Sequence, residues 1–143
     1  MSTRSTTHFI WGGDTEHPIA IIYRHGDGYP EGAGVDLLRF LDECAKLKDP
    51  RFSDPSYLAA KYVVFLADMF NYGYDDNFKP IRAASRLEFL SVGVVREDPG
   101  DIEYRYTVNC TSGFGSKVPP TVECYDIVEE KTVEIPISKP NSK

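Results

Sequence analysis

The apolar residues of this 143-residue chain change their period twice, and the order of those changes narrows the fold more than any other feature. Two short strands come first, His8–Trp11 and the β-branched Pro18–Arg24, joined by Gly12-Gly13-Asp14-Thr15-Glu16-His17, a segment rich in turn formers. They read as a β-hairpin. From about Gly34 the spacing becomes helical, with Leu37, Leu38, Leu41, Cys44 and Ala45 on one face and Asp49-Pro50 stopping the helix after Lys48. Asp36 falls in the first turn, where the partial positive charge of a helix start favours a carboxylate. Asp54-Pro55 opens a second helix, because Asp caps exposed amides and Pro suits the first helical position. Leu58, Tyr62, Phe65, Leu66 and Met69 then form an apolar stripe that runs to about Asn71.

Tyr72–Pro80 reads as a loop whose aromatics pack on the body or line a cleft. Beyond it the period is two. Leu87–Val95, Asp101–Cys110, Thr121–Val128 and Lys131–Ile137 read as strands, with turns at Pro99-Gly100 and Glu129-Glu130. In the second of these strands Ile102, Tyr104, Tyr106, Val108 and Cys110 alternate with Glu103, Arg105, Thr107 and Asn109, so the sheet is covered on one side only. The order ββααββββ predicts an α+β fold: a two-layer sandwich with an N-terminal β-hairpin, two helices and a mainly antiparallel sheet. Residues 1–143 make one domain, large enough to bury a core without disulfides, with 138–143 as a flexible tail.

Charge and cysteine content bound the function. A net charge of −6 opposes a broad surface for duplex nucleic acid, which needs many phosphate-neutralising Lys and Arg. Cys44, Cys110 and Cys124 lack zinc-site spacing and cannot all pair, which fits a reducing compartment. Met1–Ser5 carries no apolar signal core, and Tyr62–Met69 is too short to span a bilayer, so the expected location is the cytoplasm of a bacterium or an infected cell, with no membrane partner. Cys44 and Cys110 fall on apolar faces, where cysteine acts as a small hydrophobe; no nucleophile motif surrounds Ser5 or Ser112.

The candidate site lies where the first apolar runs give way to a helix, at Tyr23–Gly34. Gly26, Gly28, Gly32 and Gly34 let a ligand approach the main chain, and a helix start can aim amides at an anion. Arg4, Arg24 and His25 would add donors, and Tyr29 an aromatic wall. The spacing matches neither the phosphate loop nor the dinucleotide fingerprint. The plain alternative is a tight strand-to-helix turn in which His25 and Asp27 fix the loop by hydrogen bonds. His25 and Asp27 also have the chemistry of an acid–base pair or of metal ligands, but no second cluster supports them, so no catalytic residue, metal or cofactor is assigned. Lys79, Arg82, Arg86 and Arg105 offer a second anion-binding wall, although surface cations are ordinarily solvated or paired. Tyr104 and Tyr106 fit core packing better than a base-stacking platform, which also needs a basic groove.

Thr3-Arg4-Ser5-x-Thr7, Tyr23-Arg24-His25-x-Asp27-Gly28-Tyr29-Pro30-x-Gly32-x-Gly34 and Asp36-Leu37-x-x-Phe40-Leu41 resemble a family of small proteins of bacteria and their phages. Leu58–Lys61 and Glu103–Tyr106 extend the likeness more loosely, so that it covers about residues 3–108. The resemblance implies Gln or another residue at the place of His25 in many relatives, which weighs against an obligatory histidine, and an aromatic or otherwise bulky residue at the place of Gly26, so that the pocket of this member differs. The phage association implies a role in counter-defence by sequestering a signalling nucleotide or occupying a host protein. The leading expectation is therefore a non-enzymatic cytosolic binding protein that takes an anionic small molecule at residues 23–36 through Arg4, Arg24, His25, Asp27, Tyr29, Gly32 and Gly34. Two alternatives stand beside it: an inhibitor gripping a host protein through an acidic and aromatic surface, and a hydrolase or nucleotide-modifying enzyme using His25 and Asp27. A homo-oligomer is compatible with each.

Overall fold

Strand β1 (Ser5–Trp11) holds the centre of the molecule because both its faces are covered: Ser5, Thr6, Thr7, Phe9 and Ile10 are all buried. A computed structural model of the protein describes residues 2–49, 51–70, 72–82, 85–88, 90–111 and 118–136. β1 pairs antiparallel with β2 (Ala20–Arg24), and both glycines of the connecting turn, Gly12 and Gly13, have positive φ. Its other neighbour is β6 (Tyr104–Cys110), which runs parallel to it, Ser5 opposite Tyr104 and Trp11 opposite Cys110. With β5 (Val92–Val95), β7 (Thr121–Asp126) and β8 (Lys131–Val133) the sheet has six strands in the order β5-β2-β1-β6-β7-β8, all pairs but β1–β6 antiparallel. The helices link β2 to β5, its antiparallel neighbour, and the parallel pair arises because the segment 96–103 carries the chain from the end of β5 back across β2 and β1 to the start of β6.

α1 (Val35–Ala45) and α2 (Pro55–Met69) cover one face. α2 begins where the sequence places it, Asp54 accepting a hydrogen bond from the Ser56 amide and Pro55 filling the first position. α1 is shorter than expected: a π-helical turn, Pro30–Gly34, leads into it, and it ends three residues before Lys48. Leu37, Leu58 and Leu66 are fully buried against Phe9, Tyr106 and Val108 of the sheet. Phe9 and Phe40 pack their rings on Tyr62 at 5.8 and 5.1 Å between centroids. Truncating any of these leucines to Ala would cost about 2–5 kcal/mol, since a close-packed core cannot collapse fully onto the gap.

The chain is thus α+β, with its helices on one face of a mixed, mainly antiparallel sheet. Two local expectations change. Tyr72–Pro80 is not an irregular loop: β3 (Tyr72–Tyr74) and β4 (Pro80–Arg82) pair antiparallel as a separate hairpin. The strand expected from Leu87 begins only at Val92, because Ser85–Glu88 turns and Leu87 lies 81 % exposed. Ile137 and the tail 138–143 lie outside the described residues, as does most of the Gly-rich connection at 112–117.

Candidate functional site

The turn that follows β2 is held from inside. Arg24, at the end of β2, is 4 % exposed; its Nε donates to the Gly26 carbonyl at 2.8 Å and its Nη1 to Asp36 Oδ2 at 2.9 Å, while the guanidinium lies 5.3 Å from the Phe70 ring centre. The carboxylate in the first turn of α1 therefore serves a buried ion pair. The Gly28 amide donates to the Thr3 carbonyl at 2.8 Å, and the Gly28 carbonyl accepts from the buried Tyr106 hydroxyl at 2.7 Å. The amides of Gly32 and Ala33 bond to the carbonyls of Tyr29 and Asp27 at 2.9 and 2.8 Å.

The same packing explains two of the glycines. A Cβ at Gly28 would sit 2.7 Å from the Thr3 oxygen, and one at Gly34 would sit 2.9 Å from Ile135 Cγ2. These positions are small because neighbouring chain lies against them. Asp27 adopts φ +54°, an uncommon conformation that Asp tolerates better than most residues.

Of the residues expected to receive an anion, the structure thus turns Arg24 inward and engages the Gly32 and Ala33 amides within the turn. Arg4 faces the 101–103 segment: its Nε is 3.4 Å from Asp101 and its carbonyl accepts from the Glu103 amide. His25, Asp27 and Tyr29 remain exposed, and they form two separate pairs. Tyr23 Oη is 2.9 Å from His25 Nδ1, and Tyr29 Oη donates to Asp27 Oδ1 at 3.0 Å, a bond that raises the Tyr29 pKa. No hydrogen bond joins His25 to Asp27.

A different constellation forms on the sheet face away from the helices. Register places Thr6 of β1 opposite Arg105 of β6, with His8 two residues along, and the segment after β5 brings Asp98 over them. Asp98 Oδ1 accepts from Thr6 Oγ1 at 2.6 Å and pairs with His8 Nε2 at 2.6 Å, while Asp98 Oδ2 accepts from Arg105 Nη1 at 3.3 Å. Burial pushes the Asp98 carboxyl upward, but hydrogen bonds from His8 and Thr6, the charge of His8 and a hydrogen bond from Arg105 outweigh it and hold the pKa below its ordinary value. Because the ionised carboxylate accepts, His8 Nε2 is the donor of this contact.

The Arg105 guanidinium also lies 5.1 Å from the Tyr125 ring centre. His8, Arg105, Thr107, Glu123 and Tyr125 line a groove of about 330 Å³, small but within the range that holds a compact ligand. A cation, an aromatic ring, an imidazole and a carboxylate thus meet at one opening. Sequence reasoning had Arg105 on the polar face and His8 on a strand and did not single out Asp98; the cluster was missed because the pairing of β1 with β6 is a fact of topology.

The cysteines offer no ready nucleophile. All three are free and buried, and burial pushes Cys44 and Cys124 to about 11 and Cys110 to about 12, far from the thiolate. Burial likewise raises the Tyr62 and Tyr106 hydroxyls, so both act as neutral donors and acceptors. Among the described residues no cluster of three or more His, Cys, Asp or Glu is placed to hold a metal, and no helix is long and apolar enough to cross a membrane. Compared with protein-family models, curated proteins and solved structures, the chain matches none, so its function is argued from this geometry.

Proposed function

We propose that this is a non-enzymatic binding protein that takes a small anionic molecule on the sheet face away from the helices, in the groove beside Arg105. The observation that carries the reading is the pairing of Arg105 with both Asp98 and Tyr125 at the groove wall. One carboxylate and one ring hold the guanidinium in place, so little side-chain freedom is lost when it meets an anion. Tyr125 offers a flat apolar surface beside that charge, a combination suited to a nucleotide or another anion with a planar group. The turn at 23–36, where the sequence pointed, supports the fold in this account, and His25, Asp27 and Tyr29 lie outside the recognition surface. The likeness to bacterial and phage proteins makes sequestration of a signalling nucleotide, in counter-defence, the setting we propose for it.

The test is calorimetric titration of the protein with a panel of linear and cyclic mononucleotides, repeated with Arg105→Ala and Tyr125→Ala. Binding by the parent protein that weakens at least about tenfold in both variants, with thermal unfolding nearly unchanged, is the expected result. Absence of binding across the panel, or equal binding by Arg105→Ala, would overturn the reading.

The short contact between His8 and Asp98 favours a second reading, in which His8 Nδ1 acts as a general base for hydrolysis of the bound molecule. Turnover of the same panel, abolished by His8→Asn while binding persists, distinguishes it. Binding without turnover leaves sequestration alone.

A further inference from the structure

Glu123 lines the groove beside Arg105 with a charge of the wrong sign for an anion. It is exposed, and among the described residues it makes no ion pair. An unmatched carboxylate on the same wall as a guanidinium disfavours a ligand that is anionic throughout. It favours one whose phosphate end meets the cation while its other end donates hydrogen bonds.

The register of the sheet places that second end. Arg105 of β6 stands opposite Tyr125 of β7, and Thr107 stands opposite Glu123, so the four residues share one face. Arg105 and Glu123 are diagonal neighbours on adjacent strands, roughly 7–8 Å apart at the backbone before their long side chains reach out. Tyr125 belongs to both: the guanidinium lies 5.1 Å from its ring centre, and Glu123 is the next residue of β7 on that face. Past Thr107 and Glu123, which line both, the groove opens into a larger one of about 1060 Å³, so a base with its sugar phosphate has room.

The bases differ in what they offer a carboxylate. Guanine presents two adjacent donors on one edge, N1–H and the 2-amino group, and a carboxylate accepts both at once in the paired geometry it also uses with arginine. Adenine and cytosine set a lone-pair nitrogen beside their amino group, which a carboxylate repels, and uracil flanks its single donor with two carbonyls. We infer that Glu123 is the specificity-determining residue of this groove and that the ligand is a guanine nucleotide, with Arg105 on the phosphate, Tyr125 beside the ring and Glu123 on the N1–H and 2-amino edge. The inference rests on the proposal that the groove beside Arg105 takes a nucleotide, and it adds the base.

Calorimetric titration with the 5′-monophosphates of guanosine, inosine and adenosine, on the parent protein, Arg105→Ala and Glu123→Gln, tests it. The parent should hold the guanosine nucleotide at least about 30-fold tighter than the adenosine one, with inosine, which keeps N1–H and lacks the 2-amino group, between them. In Glu123→Gln the preference should invert. The amide offers adenine a donor and an acceptor together and leaves guanine one unmatched hydrogen, so guanosine binding weakens by about tenfold or more while adenosine binding holds or strengthens. Because Glu123 is exposed and pairs with no cation among the described residues, thermal unfolding should not change. Nucleotide binding that is lost in Arg105→Ala but does not separate guanosine from adenosine, or an affinity ratio unchanged in Glu123→Gln, would overturn this inference and leave the anion site standing. Failure of all three nucleotides to bind would overturn both.

Discussion

Two of the Arg–Asp pairs, Arg24–Asp36 and Arg105–Asp98, share their chemistry and differ in their surroundings. Arg24 and Asp36 meet at 2.9 Å with their side chains 5 % and 13 % exposed; Arg105 and Asp98 meet at 3.3 Å with 36 % and 22 % exposed. In the first pair the arginine is enclosed by Phe70, the Gly26 carbonyl and the start of α1, so the charges neutralise one another and nothing is left to offer a ligand. In the second pair the carboxylate is shared with Thr6 and His8, and the guanidinium remains on a groove wall. Burial decides which pair is scaffold and which is available. A motif rich in Arg, His, Asp and Gly can therefore serve structure, while Thr6, His8, Asp98 and Arg105, scattered through the sequence, form the more open polar site.

The comparison is most easily broken at Arg24. Arg24→Ala takes the buried guanidinium from Asp36, which keeps only the exposed Arg39 at 3.2 Å, and should cost about 3 kcal/mol, read from urea unfolding at pH 7. Replacing both partners, Arg24→Met with Asp36→Leu, should recover much of that loss, because breaking a buried pair costs more than exchanging it for apolar groups. A stable, fully folded Arg24→Ala protein would return Arg24 to the list of available donors.

Next in size is the contrast between two glycines in the same turn. Gly28→Ala drives a methyl group onto the Thr3 carbonyl and Ser5 and should cost about 1–3 kcal/mol. Gly26→Ala meets nothing within 4 Å and should change stability by less than about 0.5 kcal/mol. Equal effects at the two positions would remove the packing explanation for the motif.

On the sheet face away from the helices the expected effects are smaller and depend on pH. Asp98 has a lowered pKa in the folded protein, so its contribution is present above the unfolded value of about 3.9 and is lost as pH falls through the folded value below it. Asp98→Asn should thus reduce stability by about 1–2 kcal/mol at pH 7 and by progressively less in acid, a convergence measurable by thermal unfolding between pH 7 and pH 2. Arg105→Ala, which removes one partly exposed partner of the same carboxylate, should cost less than about 1 kcal/mol. A cost as large as that at Arg24 would make the two pairs equivalent and the distinction between them void.

How far the sequence foretold this depends on the range of the contact. The cap at Asp54-Pro55, the stripe from Leu58 to Met69 and the alternation in β6 depend on neighbours within a few residues, and they appear where periodicity placed them. The β3–β4 hairpin escaped because Tyr72, Gly73 and Tyr74 are too few to show alternation, and its turn is made by the Asp75 side chain. The polar cluster escaped for a different reason. Thr6 and Arg105 are 99 positions apart and become neighbours only through the parallel β1–β6 pairing, which no local pattern encodes. The motif at 23–34 was visible as a motif, but whether Arg24 faces water depends on Phe70, which arrives from the end of α2.

The smallest expected effect tests the scaffold side of the comparison from within. Ser5, in the Thr3-Arg4-Ser5 segment that supports the turn, is 1 % exposed, and among the described residues its Oγ has no hydrogen-bond partner. A hydroxyl withdrawn from water without a partner is unfavourable, so its removal relieves a desolvation penalty instead of breaking a bond. Ser5→Ala keeps the Cβ that Gly28 packs against and should be neutral or stabilising by up to about 1 kcal/mol in urea unfolding. Ser5→Thr would add a methyl group to a position where Gly28 already allows no Cβ, and it should destabilise the protein instead. If Ser5→Ala is destabilising by more than about 1 kcal/mol, the hydroxyl has a partner in solution and the interior of the turn is more polar than the buried Arg24–Asp36 pair alone makes it.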